Sequence, residues 1–177
     1  VLGGEERDIV AFFSDVEGFT SVSESLSPTE LVELLNEFLT EMTDIIIKYE
    51  GTVDKFEGDA IIAFFGAPND LLNKKEVACR VCIDMQKRLV ELRRKWKAES
   101  KPELKMRIGI YSGKAIVGNM GSKSRMDYTM MGDTVNTAAR LEGVNKIYGI
   151  YILTGENTAK ASGDDIIKRE IDTILVV

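Results

Sequence analysis

The segment from Asp8 to Asp15 holds an unbroken apolar run, Ile9 to Phe13, between polar ends. Such a run without alternation suits a central strand buried within a sheet, and it delivers Asp15 at the strand's exit. The next signal has a different period. Leu31, Leu34, Leu35, Phe38, Leu39, Met42, Ile45 and Ile46 recur at helical spacing, with Ser27 placed to cap, Pro28 in the first turn and Gly51 near the end. TVDKFEGDAIIAFFG then reads as two short strands turning at Glu57 and Gly58, a hairpin. A second amphipathic helix is expected from about Lys75 to Lys97, with Val77, Val81, Met85, Leu89 and Leu92 on one stripe.

Beyond it, LKMRIGIYSG and AIVGNMG read as two strands with Gly113 as the turn between them. Residues 132 to 148 predict a further helix, YILTG a strand, ENTAKAS a short helix and IIKREIDTILVV a last strand. The order is β-α-β-β-α-β with an appended helix and strands, the split βαβ, ferredoxin-like α+β plan. At 177 residues the chain is expected to form a single domain over 1–177, with neither an internal repeat nor a low-complexity segment. Its opening VLGGEERDIV reads as a linker entering a strand, so a longer multidomain protein is expected, with any regulatory domain outside this sequence.

Charge narrows the partners. With 23 Lys and Arg against 29 Asp and Glu, the net charge of -6 argues against a nucleic-acid partner, whose backbone calls for a basic surface. No apolar run approaches the ~20 residues needed to cross a bilayer, and the first residues lack a basic region followed by an apolar stretch. The expectation is a cytoplasmic domain without direct membrane contact, although the full-length protein could be membrane-attached. Cys79 and Cys82 stand three apart in a helical stretch; two thiols with no histidine in the chain cannot complete a structural zinc site, so they are read as buried helix thiols. The absence of histidine also removes the commonest general base and the usual serine or cysteine hydrolase arrangements. Chemistry is left to carboxylates, metal ions and cationic side chains.

Asp15 at the end of the buried strand and Asp59 at the start of the hairpin's second strand are expected to meet at one sheet edge. Hard divalent cations take a few carboxylates, water and substrate phosphates, so such a pair suits a phosphoryl-transfer metal site. An aspartate after a strand or a glycine is by itself ordinary turn chemistry.

Three segments in this order change that balance: FSDVEGFT at 13–20, KFEGDAIIAFFG at 55–66 and YTMMGDTVNTAARLE at 128–142. Together with RIGIYSGKAIVGNMG at 107–121, they resemble the class III nucleotidyl cyclase catalytic domain over nearly the whole chain. The resemblance implies that Asp15 and Asp59 bind two Mg²⁺ (or Mn²⁺) ions, with the backbone carbonyl of Val16 contributing. It implies that Lys55 and Thr129 read the base. Lysine donates to adenine N1 and the threonine hydroxyl accepts from the N6 amine, a pattern that favours ATP. Guanylyl cyclases resemble the same pattern but place glutamate and a small residue such as cysteine there. Asn136 and Arg140, four apart on one helix, match the pair that orients the ribose and stabilises the transition-state phosphate. Arg107 matches an arginine that helps hold the terminal phosphates, and in MRIGI it could equally be structural.

The implied activity is an adenylate cyclase, a phosphorus-oxygen lyase that converts ATP to cyclic AMP and pyrophosphate. Its implied assembly is a homodimer with composite sites. The alternatives are a guanylyl cyclase and a catalytically weak nucleotide-binding regulatory domain. Diguanylate cyclases share the core, but their GGDEF signature would stand where this chain has EGDAI. FSDVEGFT, Lys55 and Thr129 also resemble the bicarbonate-responsive branch of the family. Members usually carry a phosphate-binding lysine after the last strand; it is not found before Val177, and Lys168 is a poor substitute by position.

Overall fold

The computed structural model describes residues 3–176; Val1, Leu2 and Val177, which the opening linker and last-strand readings include, lie outside the described residues. Its elements, in chain order, are β1 (Gly3–Val16), α1 (Phe19–Glu24), α2 (Pro28–Lys48), β2 (Thr52–Glu57), β3 (Ala60–Phe65), α3 (Lys74–Ala98), β4 (Met106–Ser122), β5 (Arg125–Met131), α4 (Asp133–Tyr148), β6 (Ile152–Thr154) and α5 (Glu156–Lys160). The sheet runs β2-β3-β1-β4-β5, with β6 parallel to β4 and the other pairings antiparallel. The β1-α-β2-β3-α3-β4 core follows the expected split βαβ plan.

β1 is central because its residues can be buried on both faces. Val10, Phe12 and Val16 join Ile61, Ala63, Met106 and Ile108 under α2 and α3. Ile9 and Ala11 face the other way, into a cluster with Ile62, Phe64, Val117, Met130 and Ala138 of α4. The sheet thus has α2 and α3 on one side and α4 on the other. α2 begins where the sequence says: the Ser27 hydroxyl accepts from the Glu30 amide at 3.2 Å, and Glu30 Oε2 accepts from the Ser27 amide at 2.9 Å. This reciprocal capping satisfies two otherwise orphaned donors. Leu34, Phe38, Met42 and Ile46, spaced one turn apart, form its buried stripe. Cys79 and Cys82 are free and buried on α3; burial pushes the Cys79 thiol up to about 11 and raises Cys82 as well, which keeps both protonated and inert.

Three expectations are corrected. Gly113 is not a turn: β4 is continuous, and Gly113 pairs with Ile9 inside the ladder. A Cβ there would stand 2.6 Å from Thr134 Oγ1, so the glycine serves the close approach of α4 to the sheet. The hairpin turn falls instead between Ser122 and Arg125. The segment 166–176 forms no strand. Its apolar residues are not alternately buried, Ile167 being fully exposed, and it has no ladder partner among the described residues. Side-chain ties hold it, such as the Tyr148 hydroxyl donating to Asp172 at 2.6 Å. Finally, the opening stretch, read as a linker, is strand from Gly3 onward: Gly3–Asp8 pair with β4 as the first part of β1.

The long β1–β4 pair has a consequence for the site. Gly3–Ile9 of β1 pairs only with β4, and β5 attaches to the same end of β4. A two-stranded ribbon twists more strongly than a wide sheet. Although β2 and β5 are the two ends of the strand order, they come into contact, and Phe64 of β3 meets Tyr128 of β5 with ring centroids 5.9 Å apart.

Candidate active site

Strand register brings the two aspartates together. The β1–β3 ladder ends at Ser14 opposite Ile61, and Ala60 closes the hairpin against Glu57, so the next residues on each strand, Asp15 and Asp59, converge at that edge. The hairpin can turn this tightly because Gly58 takes φ 61, a left-handed conformation that glycine adopts without a Cβ penalty. The Val16 amide bridges the pair, donating to Asp15 Oδ1 at 2.9 Å and to Asp59 Oδ2 at 2.8 Å. Burial first, then contact with and repulsion from Asp59, and then Glu142, push the Asp15 carboxyl up to about 7, with the Val16 amide pulling the other way.

On the far side of β1, Arg107 of β4 stands opposite Asp15. Its guanidinium lies 3.7 Å from Glu17 Oε1, and the Tyr151 hydroxyl donates to the other Glu17 oxygen at 2.7 Å. Burial raises the carboxyl of Glu142 on α4, while Arg107 draws it down. Arg107 is therefore beside the aspartates and already engaged by acids. Glu17 and Glu142 were not singled out from sequence; FSDVEGFT and AARLE carry them next to singled-out residues, but nothing in the spacing says that they converge.

Lys55 and Thr129 also meet, through a residue the sequence did not mark. Thr129 Oγ1 donates to Asp54 Oδ2 at 2.5 Å, and Lys55 Nζ lies 3.7 Å from Asp54 Oδ1. Thr129 belongs to β5 and Asp54 to β2, so the contact exists only because the ends of the strand order curl together.

Asn136 and Arg140 lie one turn apart on the exposed side of α4, whose opposite side buries Thr134, Ala138, Leu141 and Asn145. Among the described residues, neither side chain makes a hydrogen bond or ion pair with another. A concavity of about 1000 Å³ between α4, β6 and residues 166–176 is lined by none of the candidate residues. The candidates fall in separate groups: Lys55, Asn136 and Arg140 are exposed, Asp15, Arg107 and Thr129 are half-buried, and Val16 is buried.

The aspartate pair fits a hard divalent cation. Two carboxylates forced together, one with its pKa raised in part by the other, form a site where a cation would relieve the repulsion. No group of three or more His, Cys, Asp or Glu among the described residues is arranged to hold a metal. Two carboxylates with no third His, Cys, Asp or Glu grouped beside them among the described residues suit a hard cation that completes its shell with water and phosphate oxygens rather than a closed all-protein cage.

Comparisons with known proteins identify the family. The family described as the Adenylate and Guanylate cyclase catalytic domain matches residues 4–161. "Adenylate cyclase 1" of Rhizobium meliloti (strain 1021) is 40% identical over 147 residues, 83% of this chain and 22% of that protein. An uncharacterized protein of Mycobacterium tuberculosis (strain ATCC 25618 / H37Rv) is 36% identical over 164 residues, 93% of this chain and 28% of its own length. This chain thus spans less than a third of either relative. Among solved structures, the adenylyl cyclase CyaB from P. aeruginosa superimposes with a TM-score of 0.90 at 39% identity, covering 99% of this chain and 90% of that one. The guanylyl cyclase Cya2 does so with a TM-score of 0.90 at 35% identity, covering 99% and 88%. A match over residues 4–161, on a fold that brings the two aspartates together, assigns the chain to the class III nucleotidyl cyclases: it belongs to the adenylate and guanylate cyclase catalytic domain family.

Proposed function

We propose that this chain is an adenylyl cyclase domain that converts ATP to 3′,5′-cyclic AMP and pyrophosphate. The observation that carries the choice of nucleotide is the convergence of Lys55 and Thr129 at Asp54. An ammonium and a hydroxyl held side by side present a donor and an acceptor, matching adenine N1 and its N6 amine. Guanine offers a donor at N1 and an acceptor at O6, so each contact would be left unpaired, at about 1–3 kcal/mol per group.

In the reaction the ribose 3′-oxygen attacks the α-phosphorus, the bond to pyrophosphate breaks and the hydroxyl proton is lost. Asp15, Asp59 and the Val16 carbonyl would hold two Mg²⁺ or Mn²⁺ ions, which supply Lewis-acid stabilisation of the attacking and leaving oxygens. Asn136 orients the ribose, and Arg140 places positive charge where the α-phosphoryl group gains negative charge. Arg107 lies close enough to the aspartates to meet the terminal phosphates once it is released from Glu17.

The two groups of residues belong to different protomers of a symmetric homodimer, the aspartates from one and Lys55, Thr129, Asn136 and Arg140 from the other. Supporting this, Asn136 and Arg140 are exposed and without side-chain partners among the described residues. Phe56, Ile116 and Met131 are likewise large apolar side chains left on the surface, and Ile116 faces Met131 across the β4–β5 ladder. The chain is one cytoplasmic catalytic domain of a longer protein, as its span of less than a third of its relatives supports. Among the described residues, no helix is long and apolar enough to cross a membrane.

Similarity to the guanylyl cyclase Cya2 favours a second reading, GTP as substrate. Cyclic-nucleotide production from ATP and from GTP, with Mg²⁺ or Mn²⁺ and across protein concentrations, decides between them. Cyclic AMP formation that is lost in Asp59→Ala supports the proposal. Preference for GTP overturns it.

A further inference from the structure

Asp54 sits at an irregularity in β2, where the pairing register with β3 shifts between Val53 and Lys55. The bulge turns its side chain inward: that side chain is 1% exposed, whereas that of its neighbour Lys55 is 41% exposed. One carboxylate oxygen takes the Thr129 hydroxyl proton at 2.5 Å. The other has no hydrogen-bond partner among the described residues and faces the Lys55 ammonium at 3.7 Å. Burial raises this carboxyl, while the Thr129 hydroxyl and Lys55 draw it back toward the ionised form.

A threonine hydroxyl has one proton and two lone pairs. With the proton committed to an ionised Asp54, the oxygen can only accept from a ligand. Lys55, held by the same carboxylate, can only donate. We propose that Asp54 is a positioning residue that sets base specificity, fixing the pair as one acceptor and one donor, the pattern complementary to the amino-substituted edge of adenine. This rests on the reading of Lys55 and Thr129 as the base-recognition pair for ATP. Lysine and threonine alone would leave the hydroxyl free to rotate and donate to guanine O6; the buried carboxylate removes that option.

Asp54→Asn tests the point while keeping the size of the side chain. Its carbonyl oxygen is drawn to the Lys55 ammonium, which turns the amide NH₂ toward Thr129. The hydroxyl then accepts from Asn and directs its own proton outward. Steady-state kcat/KM is measured for ATP, GTP and purine riboside 5′-triphosphate, which has no substituent at C6. The expected result is a fall in the ATP-to-GTP ratio of about tenfold or more, carried mainly by KM. The analogue without the C6 group should change by less than about twofold, since it makes no contact with the hydroxyl. Asp54→Ala, which leaves the Thr129 hydroxyl free to rotate and donate to guanine O6, predicts a fall in the same direction and stands in if the asparagine variant does not fold. An equal loss for all three nucleotides, or an unmoved ratio, overturns the proposal. A wild-type chain that does not prefer ATP overturns the underlying reading and this one with it. An ATP-preferring wild type whose ratio stays fixed in both folded variants overturns this one alone.

Discussion

The Val16 amide donates to Asp59 Oδ2 at 2.8 Å across 43 residues of chain, and to the adjacent Asp15 Oδ1 at 2.9 Å. One backbone donor thus holds two carboxylates that otherwise repel. Each aspartate is expected to be needed for turnover and unnecessary for folding. Asp15→Asn and Asp59→Asn should each lower kcat for cyclic nucleotide formation by at least about 100-fold, the order seen when a transition-state charge stabiliser is lost. Without metal, Asp15→Asn should melt no lower than the wild type, because a neutral amide removes the repulsion. A large drop in its melting temperature would show that the pair is structural.

The raised Asp15 carboxyl gives the metal-free protein a defined pH dependence. In the unfolded chain this group ionises near its ordinary value of 3.8, and in the fold near about 7. Between those values the folded state keeps a proton that the unfolded state has lost, so stability falls as pH rises through the window and levels off above about 7. The raised carboxyls of Asp54 and Glu142 act in the same direction. Thermal melts in chelator should therefore drop by at least a few degrees from pH 5 to pH 8. The stabilisation gained from added Mg²⁺ or Mn²⁺ should grow over the upper part of that range, as the competing proton leaves. Metal-induced stabilisation that is equal at pH 5 and pH 8 would remove Asp15 from the site.

The residues that sequence made legible are those whose roles are local or carried by motif. The helical stripe from Leu34 to Ile46, the capping by Ser27 and the turn at Gly58 all depend on neighbours a few residues away. The convergence of Asp15 and Asp59 follows from strand order alone. What escaped depends on distant surfaces. Gly113 in isolation signals a turn, and only the approach of Thr134 from α4 shows that it belongs inside a strand. The 166–176 segment has the residue types of a strand, but a strand also needs a ladder partner, and it has none among the described residues. Asp54 was hidden for a third reason: its partner on β5 is brought to it by the twist of a ribbon, which no local pattern encodes.

Gly113→Ala tests the close-approach role directly. The new methyl would be driven to 2.6 Å from Thr134 Oγ1, and that hydroxyl is fixed by its donation to the Lys114 carbonyl at 2.7 Å. Overpacking of this kind costs about 1–3 kcal/mol. Chemical denaturation should show that loss in Gly113→Ala, and a smaller loss when the same change is made in a Thr134→Ala background. If the two losses are equal, the contact with Thr134 is not the reason for the glycine.

Mixing two inactive chains tests whether each site is shared between protomers. In the proposed homodimer, Asp59→Ala damages the metal half of both sites and Arg140→Ala damages the phosphate half of both, so each variant alone is inactive. In a mixed dimer, both lesions fall in one site, which is dead, and the other site draws Asp59 and Arg140 from the undamaged positions of the two chains. Random exchange at equal concentrations makes half of the dimers mixed, each with one working site of two, so the mixture should recover about a quarter of wild-type activity. A site built within one protomer gives a different answer, because every chain in the mixture then carries a lesion in its own site and nothing is recovered. The exposure of Asn136 and Arg140 on α4, away from side-chain partners among the described residues, is the structural reason to expect recovery.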